Sequence, residues 1–79
     1  MYNLDNPRSF IRYRYKWYDG NDGIRTIIDV QEINNEICLI IEFENNAHKE
    51  SFFFTSFKYG LKYKEIMLLE KNMEDEEML

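Results

Sequence analysis

The chain has 79 residues, 44% apolar and 16% aromatic. That is material for one hydrophobic core and no more, since a domain of this size buries only roughly 60 to 65% of its unfolded surface. Its formal charge of -5 works against condensation on nucleic acid through the overall field, because that affinity comes from Lys and Arg displacing counterions. One cysteine, Cys38, and one histidine, His48, exclude an intrachain disulfide and any metal site built on paired thiolates or imidazoles.

Residues 1–7 close on Pro7, which pushes Asn6 out of the helical region and marks an opening loop. From Phe10 the chain alternates. Ile11, Tyr13, Tyr15 and Trp17 fall on one side and Arg12, Arg14 and Lys16 on the other, the period of a strand with one buried and one wet face. Asp19 to Gly23 is rich in Gly and Asx residues and reads as a hairpin loop. A second strand is expected over Arg25–Ile33, with Thr26, Ile28 and Val30 opposite Ile27, Asp29 and Gln31.

Asn34-Asn35 then forms a two-residue turn whose residues tolerate positive φ. The third strand, Ile37 to Glu44, sends Ile37, Leu39, Ile41 and Phe43 to the core and Cys38, Ile40, Glu42 and Glu44 outward. A fourth, Lys49 to Phe54, places Phe52 and Phe54 opposite Phe53. Beyond it, Tyr59, Tyr63, Ile66, Leu69 and Met73 recur at spacings of three and four, the stripe of an amphipathic helix over 56–75 with Ser56 as its N-cap. The acidic run at 74–77 opposes the helix dipole, so residues 76–79 are expected to fray. The resulting fold is α+β, a single domain of four antiparallel strands over 8–54 in a β-meander, covered on one face by a C-terminal α-helix.

Three surfaces offer themselves. Asp29, Glu42, Glu44 and Glu50 form an acidic set that can imitate a phosphate backbone and dock a basic protein; ordinary solubility explains the same charges. Arg12, Arg14 and Lys16, interleaved with aromatics, resemble platforms that grip single strands. Such a platform wants cations and rings on the same wet face, and alternation separates them. Under the plainer reading the cations meet acids across the sheet. Phe57, Leu61 and Leu68 lie opposite the first helical stripe and offer a self-association face; isolated exposed leucines need no function.

His48 follows an Asn-rich turn and lacks the companions of a base or a ligand. Cys38 sits among aliphatic residues, as a buried thiol does. Asp19 to Gly23 fails the calcium-loop pattern, with Gly23, Ile24 and Val30 at its fifth, sixth and twelfth positions. No cofactor and no metal are therefore expected, and no catalysis.

The sequence points to a small acidic binding protein that modulates or inhibits a host protein, with a protein partner, a homodimer as a further possibility, nucleic acid less favoured and no membrane. A cytoplasmic location is the default, given one cysteine and no run near the ~18 apolar residues of a membrane span. Heavy use of Asn, Lys, Glu and Ile with little Ala, Gly or Pro suits an AT-rich genome such as that of a phage or mobile element.

Overall fold

The computed structural model describes residues 1–20 and 23–71. Pro7–Phe10 forms a 3₁₀ turn that leaves Phe10 in the core. It is followed by β1 (Tyr13–Trp17), β2 (Arg25–Ile33), β3 (Glu36–Phe43), β4 (Lys49–Phe53), α1 (Phe54–Lys62) and β5 (Ile66–Lys71). The strands make one antiparallel sheet in the order β4-β3-β2-β1-β5. This corrects the four-stranded meander with a C-terminal helix: α1 is internal and short, and the chain returns from it as a fifth strand beside β1. A β1 left on the sheet edge would have exposed a row of backbone donors and acceptors, which β5 satisfies.

The helix stops where the sequence gives little warning. Lys64, at φ 60°, adopts the left-handed conformation usually reserved for Gly. The Glu65 N–H bonds to Gly60 O at 2.8 Å and the Lys64 N–H to Leu61 O at 3.3 Å, which is the paired bonding of a Schellman C-terminus. The helix also begins earlier than expected, at Phe54, so Ser56 lies inside it and caps nothing. The expected stripe is therefore split: Tyr59 belongs to α1, Tyr63 caps its end, Ile66 and Leu69 belong to β5, and Met73 and the acidic run lie outside the described residues.

Two further departures reset side-chain phase. The expected first strand loses its beginning to the 3₁₀ turn and to Arg12, whose φ of 80° turns the chain so that its N–H reaches Ile27 O at 2.7 Å. In β2 the register passes from Ile27↔Ile41 to Asp29↔Ile40, leaving Ile28 as the extra residue of a bulge. Ile27 and Val30 consequently share the core face, which corrects the expected grouping of Val30 with Thr26 and Ile28. Asn34 and Asn35, at φ 52° and 67°, form the tight β2–β3 turn that their residue type allows.

The core lies between α1 and one face of the sheet. Phe57 sits at its centre, meeting Phe10 edge-on at 5.1 Å and Tyr15 at 5.3 Å between ring centroids. Ile27, Leu39, Ile41 and Ile66 close around it. Phe52 joins this side, Phe53 points away and is half exposed, and Phe54 is buried.

Candidate nucleic-acid interface

The predicted acidic residues do not form one surface. Pairing across the sheet puts Asp29 beside Ile40, and Glu42 between Thr26 and Lys49, on the face that α1 does not cover. Glu50 is opposite Ile41 on the other face, where its carboxylate lies 3.3 Å from His48 Nε2. Glu44 pairs with Arg14 at 3.4 Å. Of the fifteen acidic side chains, Asp22 and the four at 74–77 lie outside the described residues; the ten that remain are matched by ten basic ones. The described body is thus neutral.

The basic strip is likewise dispersed. Arg12 belongs to a turn, Arg14 is paired with Glu44, and Lys16 stands beside Met67 on the uncovered face. Tyr13, Tyr15 and Trp17 pack on the core side. The uncovered face therefore mixes both signs, as an ordinary wet sheet face does.

The proposed self-association residues face the core. Phe57 is fully buried, and Leu61 and Leu68 pack against the buried cluster. The helical phase is the inverse of the expected one, because Phe54, Phe57 and Gly60 set the buried face of α1. Association through Phe57 would have to open the core, whereas Leu61 and Leu68 are partly buried.

That inversion turns Tyr59 and Tyr63 outward, at 59% and 61% exposure. Their rings lie parallel, with centroids 6.0 Å apart and an interplanar angle of 6°. Lys62 Nζ is 5.5 Å from the Tyr63 ring centroid, and Lys58 Nζ is 5.0 Å from that of Phe54. Thr55, Lys58, Tyr59 and Lys62 line a shallow depression of about 260 Å³ along this flank. A larger hollow of about 460 Å³ adjoins it through the same two lysines and is completed by Tyr2, Leu4, Asp5 and Leu61.

Cations and exposed rings thus coincide on α1, as they do not on β1. The signal was present in the sequence as Lys58-Tyr59 and Lys62-Tyr63, two identical pairs four residues apart and therefore on one helical face. Reading Tyr59 and Tyr63 as part of a buried stripe concealed it.

Among the described residues no group of three or more His, Cys, Asp or Glu side chains is placed to hold a metal ion, and no helix is long and apolar enough to cross a membrane. No known protein-family model, curated protein or solved structure matches this chain.

Proposed function

We propose that this chain is a non-catalytic binding module that holds single-stranded nucleic acid along α1. The observation that carries the reading is the parallel, exposed Tyr59–Tyr63 pair with Lys58 and Lys62 beside it. Every base has a π-face, so aromatic platforms bind single strands with little regard to sequence, and flanking ammonium groups meet the phosphates. The overall charge of -5 does not bear on this reading directly, because Lys58 and Lys62 stand beside the exposed rings and supply positive charge where a strand would lie.

Fluorescence anisotropy with a labelled oligothymidylate at low salt tests this. Base stacking is worth about 1 to 3 kcal/mol per base, so the Y59A/Y63A double variant is expected to weaken binding by tenfold or more. The K58Q/K62Q double variant is expected to flatten the dependence of log K on log salt by about 1.4, because two phosphates are then left to their counterions. Binding unchanged in both variants would exclude α1 as the site.

A second reading keeps a protein partner. At the β2–β3 tip Glu32, Ile33, Glu36 and Ile37 are all exposed, and Ile33↔Glu36 and Glu32↔Ile37 are the last pairs of the hairpin. An acidic, apolar finger of this kind suits a basic protein, and a host protein modulated or inhibited by such contact is our proposal for that surface. Pull-downs with the tip residues Glu32 and Glu36 changed to Gln separate it from the α1 reading. For both readings we place the protein in the cytoplasm, where a free buried thiol such as Cys38 is at home.

A further inference from the structure

We infer that the hollow between the N-terminal loop and α1 is a nucleobase pocket selective for guanine. The inference rests on the α1 reading and adds base preference to it. Tyr2, Leu4 and Leu61 supply apolar walls, Asp5 a carboxylate, and Lys58 and Lys62 the ammonium groups shared with the tyrosine flank. At about 460 Å³ the hollow falls within the roughly 300 to 1,000 Å³ usual for small-molecule sites.

The loop that carries Asp5 is tied down before any ligand arrives. Asn3 Oδ1 accepts from the Asp5 N–H at 2.8 Å, and Asn6 Oδ1 accepts from the Arg8 N–H at 3.1 Å. Ser9 Oγ accepts from the Asn3 N–H at 2.8 Å and lies 2.7 Å from Asn6 O. Tyr2 stacks on Phe10 with centroids 4.9 Å apart, which fixes that wall to the core. A wall held this way loses little entropy on binding.

Base choice follows from Asp5. An ionised carboxylate only accepts hydrogen bonds, and guanine alone among the bases presents two adjacent donors, N1–H and the N2 amino group, on one edge. Both carboxylate oxygens can then be used at once, as in other bidentate pairs. Adenine and cytosine place a ring-nitrogen acceptor beside their amino group, and thymine and uracil flank their single N–H with carbonyls, so each sets a lone pair against the carboxylate. The phosphate of the same nucleotide is left to Lys58 and Lys62.

The test compares a short oligothymidylate with the same strand carrying one central guanine, adenine or cytosine, on the intact chain and on Asp5→Asn. Asp5 is exposed, so the substitution leaves the core untouched. Guanine is expected to tighten binding about tenfold over oligothymidylate, in line with a bidentate contact, adenine and cytosine not to, and Asp5→Asn to bring the ratio of guanine-strand to oligothymidylate affinity back to that of the other strands. Equal affinity for all four strands, or a guanine gain that survives Asp5→Asn, would overturn the pocket and leave the platform standing. Should oligothymidylate fail to bind, the platform falls instead and guanosine monophosphate decides the pocket. Shifts at the Leu4 and Leu61 methyl resonances that vanish in Asp5→Asn support it, and their absence overturns it.

Discussion

Gly60 of α1 sits directly against Ile66 of β5: a Cβ added at Gly60 would stand 2.7 Å from Ile66 Cγ1 and closer still to Cδ1. Helix propensity and packing oppose one another at this contact. Alanine would gain up to about 1 kcal/mol as a helix former, and overpacking costs about 1 to 3 kcal/mol.

Packing is expected to win. G60A should lower stability by about 1 kcal/mol in urea unfolding, and the loss should shrink in an I66V background, where the Cδ1 methyl is gone. A double-mutant cycle reads this coupling directly. A stabilised G60A would mean that α1 and β5 do not approach as described.

Tyr15 sets an alkaline limit. Burial pushes its hydroxyl above the ordinary tyrosine value, Arg25 partly opposes this and Glu50 adds to it. Below about pH 10 the phenol is neutral in both folded and unfolded chains, so its contribution is fully present. Above that pH the unfolded chain ionises first and stability falls, by about 1.4 kcal/mol for each pH unit until the folded value is reached. Urea titrations from about pH 8 to 11, a window spanning the ordinary tyrosine value, should show a steeper decline for the native chain than for Y15F. Phenolate absorbance should show that Tyr15 ionises only as the chain unfolds.

Among the non-glycine residues with left-handed backbone, Lys64 and Asn35 hold sharp reversals, and glycine should improve both. Lys64→Gly at the Schellman position and Asn35→Gly in the hairpin turn are each expected to raise stability by about 0.5 to 1 kcal/mol. Asn35→Ala should lower it, because alanine lacks asparagine's tolerance of φ 67°. Denaturant midpoints measure all three.

The Arg14–Glu44 pair has side chains 33% and 41% exposed. Water screens such a pair, so E44Q is expected to change stability by less than about 1 kcal/mol. A larger loss in urea unfolding would assign the pair a structural role that its exposure does not support.

The sequence by itself determined the series of four hairpin-linked strands up to Phe53 and the sidedness of part of it. Period-two alternation in Tyr13–Trp17 and in Leu39–Phe43, and a turn made of Asn34-Asn35, are local features whose physics does not depend on distant residues. What followed Phe53 was decided by tertiary structure. Ile66 and Leu69 fit a helical stripe, and the run at 66–69 fits a strand about equally well; the arbiter was the open edge of β1, far away in sequence, which offered backbone hydrogen bonds that a longer helix could not use. The same choice set the phase of α1. With Gly60 admitting Ile66 to the helix surface, Phe57 turned inward and Tyr59 and Tyr63 turned out, so the surface proposed to bind exists only because the last strand came back across the chain to pair with the first.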